Sequence, residues 1–234
     1  MASYVLVHGG WSGAHAFRHV RPLLQAAGHE VFTPSLTGIG ERVHLTSPQV
    51  NLTTHVTDVV NQVLYEDLQG VVLLGFSYGG CVVTGALDHI ASRVRHLVYL
   101  DAFVPDDGES VFALTGQSPT TTPGLGDLWL VPPPARDFDA PDEAAFVNAR
   151  RTPHPVGCFR EGVRLRRALE DFAFDRTYIR ATGDAADAPG AAAFDEAADR
   201  ARRSPAWRYR EIDTNHMVAS NRPDALAKLL LELV

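Results

Sequence analysis

The strongest chemical signal in the sequence is the segment Gly75-Phe76-Ser77-Tyr78-Gly79, which has the pattern G-x-S-x-G. It stands between an apolar run that predicts a strand and a segment that predicts a helix, which is the context this pattern requires. A sharp strand-to-helix turn strains the serine backbone, and side chains in place of the two glycines would collide with neighbouring backbone. Ser77 is therefore predicted to be a nucleophile held outward at a helix N-terminus.

A serine hydroxyl needs a base before it can attack a carbonyl carbon. His216 follows the last predicted strand, and it is the only histidine near the carboxyl end of the chain. The third group must orient the imidazole, and in this kind of site the chain order is serine, acid, histidine. Asp184, just after a predicted strand, is the preferred acid. Asp101, at the end of another predicted strand, and Asp187, in the same loop as Asp184, remain as alternatives.

Attack on a carbonyl also creates an oxyanion, which needs preorganised N–H donors. We predict that one donor is the backbone N–H of Tyr78, next to the nucleophile. The other is assigned to Gly10, in the loop after the first predicted strand, because a glycine lets substrate approach the backbone closely. A glycine pair there could also be a plain turn or a phosphate-binding loop, but the spacing is not G-x-G-x-x-G. His8 is predicted to hold this loop.

Short apolar runs that predict strands alternate along the chain with segments that predict helices. The strands are expected at residues 4–7, 31–33, 71–75, 94–100, 177–181 and 208–212. The helices are expected at residues 14–27, 52–64, 78–91, 191–202 and 223–233. This alternation predicts the α/β class, with a mostly parallel sheet covered by helices on both faces. Active sites in such sheets lie beyond the carboxyl ends of the strands.

The regular pattern stops in the middle of the chain. Nine of the fifteen prolines lie between Pro105 and Pro155, together with several glycines. A long stretch without periodicity inside a compact domain is typical of a lid or binding insertion. We therefore predict a single domain in which residues 1–104 and 171–234 form the core and residues 105–170 form a lid.

An apolar substrate pocket is predicted from side chains beside the site and in the lid. The four chosen as substrate contacts are Trp11, Phe103, Leu128 and Trp129. Such a pocket favours an uncharged ester of moderate size. A basic pocket for a charged acid is not evident, although Arg42 and Arg160 could serve.

The composition excludes several other classes of protein. The chain has 234 residues and a net charge of −7, so it lacks the basic excess with which nucleic-acid-binding proteins neutralise phosphates. No apolar run approaches the ~20 residues of a membrane span, and the amino terminus does not resemble a signal peptide. Two cysteines make no disulfide framework. Five histidines lack acidic or cysteine partners at metal-ligand spacing: His15, His19, His29, His89 and His96. We expect a soluble cytoplasmic protein without metal or cofactor.

Several segments together resemble a known family. VLVHGGWSGAHAF, GFSYGG, YIRATGD and the NHM segment are similar to the α/β-hydrolase subfamily of plant methyl esterases and hydroxynitrile lyases. Bacterial carboxylesterases, including pyrethroid-hydrolase-like enzymes, look closer still, and PSLTGIGER resembles that branch. The resemblance fades over residues 108–170. It implies the α/β-hydrolase fold, a nucleophile at Ser77, an acid at Asp184, a base at His216 and oxyanion amides at Gly10 and Tyr78. It also allows a homodimer.

Two departures from the family pattern bear on the chemistry. The hydroxynitrile lyases of this group carry a lysine after the catalytic histidine, where this chain has Met217, and a threonine where it has Gly9. Both differences favour ester hydrolysis over cyanohydrin cleavage. The predicted function is a serine esterase that cleaves carboxylic esters of moderately sized apolar substrates through an acyl-enzyme on Ser77. The alternatives are a hydroxynitrile lyase, a thioesterase or a cyclase-type biosynthetic step, and a non-enzymatic ligand-binding protein.

Overall fold

The computed structural model describes residues 1–117 and 129–234, and within them a parallel sheet forms the centre of the molecule. Its strands are β1 (Ser3–Val7), β2 (Glu30–Phe32), β3 (Val71–Phe76), β4 (Val94–Leu100), β7 (Asp175–Ala181) and β8 (Arg208–Ile212). Their order across the sheet is β2-β1-β3-β4-β7-β8, and every neighbouring pair is parallel. Two short strands, β5 (Leu130–Val131) and β6 (His154–Pro155), form a separate antiparallel pair. The predicted α/β architecture is confirmed.

Helices surround this sheet. In chain order they are α1 (Val20–Ala26), α2 (Leu52–Tyr65), α3 (Gly79–Ile90), α4 (Val111–Thr115), α5 (Pro141–Asn148), α6 (Gly157–Arg160), α7 (Ala191–Arg203), α8 (Val218–Asn221) and α9 (Pro223–Leu231). Local chemistry explains where several of them begin. Asn51 caps α2 by accepting a hydrogen bond from the backbone N–H of Thr54, and prolines open α5 and α9. Within the described residues, every helix is too short or too polar to cross a bilayer.

Strand residues alternate between two apolar layers, one on each face of the sheet. Val5 and Leu73 pack in the layer that also contains α2, α3 and α7. Tyr4 and Leu74 pack in the opposite layer with α1 and α9. Because successive side chains of a strand point to opposite faces, a strand between two helical layers must be apolar throughout. All six residues of β3 are buried, as this requires.

The segment predicted as one helix over residues 14–27 is in fact two pieces. A 3₁₀ turn (Ala14–Phe17) comes first, and α1 starts only at Val20. The reason is Pro22, which lacks a backbone N–H and whose ring would clash with the carbonyl of residue 18 in a continuous helix. Proline is tolerated in the first turn of a helix, so α1 begins just before it.

The sheet brings the predicted chemistry to one edge. The loop with His8 follows β1, Ser77 follows β3, Asp101 follows β4, Asp184 lies after β7 and His216 after β8. Because all these strands are parallel, their carboxyl ends meet at the same edge of the sheet. The division into a core and a lid at residues 105–170 stays a prediction.

Candidate active site

Ser77 occupies a strained turn between β3 and α3. Its φ is +55°, in the left-handed region that side chains other than glycine rarely adopt. A Cβ on Gly75 would lie 2.6 Å from the carbonyl oxygen of Gly79, and one on Gly79 would lie 2.7 Å from that of Val7. A side chain at either glycine would therefore collide with neighbouring backbone, as the sequence analysis expected. The turn places the serine hydroxyl at the start of α3.

A chain of hydrogen bonds joins the serine to a buried carboxylate. The Ser77 hydroxyl lies 3.0 Å from Nε2 of His216, and Nδ1 of His216 lies 2.6 Å from Oδ2 of Asp101. With the proton on Nδ1, the imidazole donates to Asp101 and its free Nε2 accepts from the serine. All three side chains are buried. This is the arrangement of a Ser–His–Asp triad.

The acid is where the structure departs from the sequence-based preference. The hydrogen bond predicted for Asp184 is made by Asp101, the alternative that ends β4. Asp184 instead accepts a hydrogen bond from the backbone N–H of His216 at 3.0 Å, so it supports the loop rather than the imidazole. Among the hydrogen bonds of the described residues, none joins Asp187 to the imidazole. The preference for Asp184 as the group that orients the ring is therefore wrong by geometry.

Asp101 is held in place by β7 as well as by its own strand. Its φ is +42°, and its backbone N–H donates to the carbonyl of Ile179 at 2.7 Å. Its Oδ1 accepts from the backbone N–H of Ala181 at 3.1 Å and from the guanidinium of Arg180. Oδ2 is left for the imidazole. A strained backbone, the backbone hydrogen bond to Ile179 and two donors on Oδ1 therefore aim Oδ2 at His216.

Two aromatic rings enclose the imidazole of His216. Phe194, from α7, stacks on it with ring centres 5.0 Å apart and an angle of 9° between the planes. Phe76 lies on another side at 4.8 Å. These rings exclude water, which strengthens the hydrogen bonds of the imidazole and disfavours its charged form. Phe76 belongs to the serine motif, but nothing in the sequence pointed to Phe194.

The electrostatics favour a neutral imidazole beside an ionised carboxylate. Burial lowers the pKa of His216 below its ordinary 6.5, and the charge of Arg136 lowers it further. The hydrogen bond and charge of Asp101 and the charge of Asp184 oppose this shift without cancelling it. Burial alone would raise the pKa of Asp101, but the hydrogen bond from His216 and the positive charge of Arg180 keep it below its usual value.

We therefore expect hydrolysis to rise with pH as His216 loses its proton. Only the neutral ring can take the proton of Ser77, and the lowered pKa places the midpoint of this rise below 6.5. The measurement is kcat/KM for an uncharged ester between about pH 4.5 and 8, with circular dichroism at each pH as a control for unfolding. A midpoint clearly above 6.5 would contradict the enclosed, desolvated imidazole.

Two backbone amides next to Ser77 are free to bind an anion. Neither the Gly10 nor the Tyr78 N–H donates a hydrogen bond to any residue in the described ranges. A Cβ on Gly10 would lie 3.7 Å from the Cβ of Tyr78, so the two residues are neighbours. The structure thus brings together the two amides predicted as oxyanion donors, beside the nucleophile.

His8 holds the loop that presents Gly10. Its Nδ1 donates to the carbonyl of Gly9 at 2.9 Å, and its Nε2 accepts from the backbone N–H of Leu36 at 3.2 Å. Burial lowers the pKa of His8 to about 4, so the ring stays neutral and keeps both bonds at physiological pH. The His8 side chain thus links the loop of Gly9 and Gly10 to the segment of Leu36, and it holds the loop as predicted.

A mostly apolar cavity opens at Ser77. Its lining includes Trp11, Tyr78, Phe103, Phe112, Val131, Phe159 and Phe194. Two predicted contacts, Trp11 and Phe103, are therefore in its wall, and the indole N–H of Trp11 is fixed by the carbonyl of Val131 at 2.8 Å. Trp129 is not part of this wall, and its carbonyl binds the N–H of Val156. Leu128 lies outside the described residues.

Two groups of side chains in the described ranges have donor atoms within 4.8 Å of one another, as a metal site would need. One is Asp101, Asp184 and His216, whose atoms are used in the hydrogen bonds above. The other is His55, His154 and Cys158. In this group both ring nitrogens of His55 already form hydrogen bonds. Nδ1 lies 2.9 Å from the hydroxyl of Tyr78, and Nε2 lies 2.7 Å from the carbonyl oxygen of Thr37. The histidine would have to break strong hydrogen bonds to bind a metal.

Comparison with known proteins agrees with this fold and site. The model of the alpha/beta hydrolase family matches residues 4–229, so the chain belongs to that family. A carbendazim hydrolyzing esterase from Nocardioides sp. strain SG-4G is 35% identical over 100% of both chains. An alpha-hydroxynitrile lyase from Arabidopsis thaliana is 31% identical over 53% of this chain and 48% of its own length.

Among solved structures, an extracellular alpha/beta-hydrolase from a Paenibacillus species has a TM-score of 0.83 with 23% identity, covering 100% of this chain and 99% of its own. A methylesterase from Arabidopsis has a TM-score of 0.74 with 22% identity, covering 99% and 98%. These two likenesses concern the fold. The predicted membership of the esterase and hydroxynitrile lyase group is confirmed, and so is the prediction of a carboxylic ester hydrolase.

Proposed function

We propose that this chain hydrolyses carboxylic esters of small molecules through an acyl-enzyme on Ser77. The observation that carries the proposal is the continuous hydrogen-bonded chain from Ser77 through His216 to Asp101. Beside it lie the amides of Gly10 and Tyr78, which donate no hydrogen bond within the part of the chain that the structure describes. A nucleophile, a base, an orienting acid and two anion donors are the complete set that acyl transfer needs.

Each group has one task in the reaction. His216 takes the proton of Ser77 while the serine oxygen attacks the ester carbonyl, and Asp101 stabilises the imidazolium that forms. The amides of Gly10 and Tyr78 bind the oxyanion of the tetrahedral intermediate. His216 then protonates the leaving alcohol, and water enters by the same route to release the acid and restore the serine.

The names of the relatives and the shape of the site both support esters as substrates. Similar proteins include a carbendazim hydrolyzing esterase, several methylesterases and a pyrethroid hydrolase. The cavity beside Ser77 is lined largely by aromatic rings, which suits a moderately sized apolar group. Part of its wall, including Phe112, Val131 and Phe159, comes from residues 105–170, and we propose that this insertion is the lid.

A fluorophosphonate probe tests the proposed nucleophile directly. The probe should add its mass to a single peptide containing Ser77, because only a hydroxyl activated by a base reacts with it at neutral pH. Heat-denatured protein is the matched control and should gain no mass. Labelled protein should also lose the turnover of p-nitrophenyl and methyl esters, and carbendazim belongs in the same panel. An unlabelled native protein that still cleaves esters would refute the assignment.

The lyase alternative finds less support at the site. Met217, which follows the catalytic histidine, lies in the wall beside Ser77, where a thioether offers no positive charge for a leaving cyanide. The relationship to an alpha-hydroxynitrile lyase keeps the alternative testable. Cyanide released from mandelonitrile, without turnover of any ester in the panel, would favour it over hydrolysis.

We also propose a cytoplasmic location and a homodimer without nucleic-acid partners. Both cysteines, Cys81 and Cys158, are free thiols, as a reducing compartment favours. The net charge of −7 supports a small-molecule partner over nucleic acid. Cell fractionation and sedimentation velocity test the location and the dimer, the latter resting on the family resemblance alone.

A further inference from the structure

Two arginines of the segment 105–170 lie beside the nucleophile. Arg136 and Arg151 help to line a small cavity, here called the arginine cavity. Its other walls are Gly9, Gly10, Trp11, Ser12, Phe76, Ser77, Val147, His216 and Met217. Arg136 also lines the mostly apolar cavity at Ser77 described above, so it belongs to the walls of both cavities. The two arginines thus border the space beside Ser77, where an ester carbonyl would meet the nucleophile.

Each arginine is fixed to one of the two catalytic loops by its neighbour in the chain. The carbonyl of Asp137, next to Arg136, accepts from the side-chain amide of Asn215 at 3.2 Å, one residue before His216. The N–H of Thr152, next to Arg151, donates to the carbonyl of Trp11 at 3.1 Å, one residue after Gly10. Arg136 is therefore attached to the loop of the base, and Arg151 to the loop of the oxyanion donors.

The positive charge of the pair is only partly compensated by nearby acids. Neither guanidinium has a carboxylate within ion-pair distance among residues 1–117 and 129–234. Arg136 has one hydrogen bond there, to the carbonyl of Pro189 at 3.4 Å. Burial lowers the pKa of Arg136, although the charges of Asp184, Asp101 and Asp137 oppose the shift. Burial and the charge of Arg136 lower the pKa of Arg151 to about 10.

Two partly buried cations that line the same small cavity and repel each other form a favourable site for an anion. Bringing an anionic oxygen between them removes the repulsion and gives each guanidinium the charged acceptor it lacks. Arginine suits a carboxylate in particular, because its planar group of N–H donors matches the two oxygens. The carboxylates whose charges act on Arg136 are those of Asp184, Asp101 and Asp137. None of them lines the cavity: Asp101 is bound to Nδ1 of His216, across the ring from Ser77, and Asp184 to the backbone N–H of His216.

We infer that Arg136 and Arg151 bind a carboxylate carried by the substrate, so that the preferred esters are half-esters or other esters with an ionised acid group near the scissile bond. The inference rests on the proposed function of Ser77 and specifies its substrate class. It differs from the sequence-based expectation, in which no basic pocket was evident at the site. Arg42, named from the sequence, pairs with Asp58 at 3.3 Å, and Arg160 is exposed.

The test compares pairs of esters of which one member carries a carboxylate and the other does not. The first arm uses p-nitrophenyl hydrogen glutarate against p-nitrophenyl pentanoate, so that the acyl part carries the charge. The second uses 3-acetoxybenzoate against phenyl acetate, so that the alcohol part carries it. We expect the wild type to favour the charged member of one arm by about tenfold or more in kcat/KM, since hydrogen bonds to charged groups are the strong ones. The arm that shows this tells which side of the ester the arginines bind.

Three variants locate the effect. Arg136→Gln and Arg151→Gln should each lower the ratio of charged to uncharged kcat/KM by about tenfold or more. Arg150→Gln is the matched control, because Arg150 is the chain neighbour of Arg151 but is exposed and packs on Phe146. It should leave the ratio as in the wild type. Both rates of a ratio come from one preparation, so a loss of folded protein cancels.

The outcomes separate this inference from the proposed function. If the wild type cleaves uncharged esters through Ser77 but prefers no charged ester, or if either glutamine variant keeps the wild-type ratio, the carboxylate site is refuted and the esterase stands. If no ester of either charge is cleaved, or if cleavage persists without Ser77, the proposed function itself fails.

Discussion

Ser77→Ala is expected to lower kcat for ester hydrolysis by about 10⁵- to 10⁶-fold, the scale on which removing a triad serine acts. The loss should fall on kcat, because the hydroxyl forms the covalent bond and no other nucleophile is in its place at the turn after β3. Rates with p-nitrophenyl acetate, corrected for the uncatalysed reaction, give the measurement. KM or the Kd of a product acid should change little, because the pocket walls stay.

The serine backbone makes a second variant useful. Residue 77 has a positive φ, which alanine tolerates no better than serine, so the fold should survive equally well in both proteins. Thermal unfolding of Ser77→Ala should therefore lie within a few degrees of the wild type. Ser77→Cys keeps a nucleophile beside His216 and should gain reactivity towards a thiol reagent at this position. An alanine variant with near wild-type turnover would end the serine mechanism.

Asp101→Asn is expected to lower kcat by about 10⁴-fold, the effect of the same change in a serine protease triad. The physical reason lies in the fixed neighbours of Asp101. Its Oδ1 accepts from Arg180 and from the N–H of Ala181, so the carbonyl oxygen of an asparagine would stay there. The amide NH₂ would then face Nδ1 of His216 and force the ring proton onto Nε2. In that tautomer the imidazole cannot accept the proton of Ser77.

Asp184→Asn is the matched comparison and should cost about tenfold or less. Asp184 accepts a hydrogen bond from the backbone N–H of His216, and the carbonyl oxygen of asparagine can accept the same bond. Both variants replace one carboxylate by its amide near the same histidine, so the ratio of their kcat values isolates the contact with Nδ1. If Asp184→Asn lost more activity than Asp101→Asn, the acid would be Asp184 after all. Circular dichroism of both proteins checks that they are folded. This control matters most for Asp101→Asn, which removes the carboxylate that pairs with Arg180.

The assignment of the acid shows where local sequence stops being informative. Asp101 and Asp184 both follow strands that end at the same edge of the sheet, and both lie near His216. The place of Asp184 after a predicted strand and the family resemblance both favoured Asp184, although Asp101 also ends a predicted strand. The choice depends on the direction of each carboxylate, which is set by the positive φ of Asp101 and by its contacts with Arg180 and Ala181.

The residues that line the cavities beside Ser77 could be predicted only in part, for a related reason. Trp11 and Phe103 adjoin regular strands and short loops, so their position follows from the elements next to them. Arg136 and Arg151 lie in the proline-rich stretch, where no periodicity indicates which residues face the site. Their place is set by contacts over long chain distances, such as that between Asn215 and the carbonyl of Asp137.

The sequence by itself determined the elements and the groups tied to them. Short-range patterns were enough to predict them. These patterns are the alternating apolar runs, the two glycines that the strained turn at Ser77 requires, and a histidine after the last strand. The tertiary structure decided which carboxylate meets His216, that Phe194 covers the ring, and that two arginines flank the nucleophile. Those outcomes depend on side-chain directions fixed by partners far away in the chain, and such directions leave no repeating pattern in the order of residues.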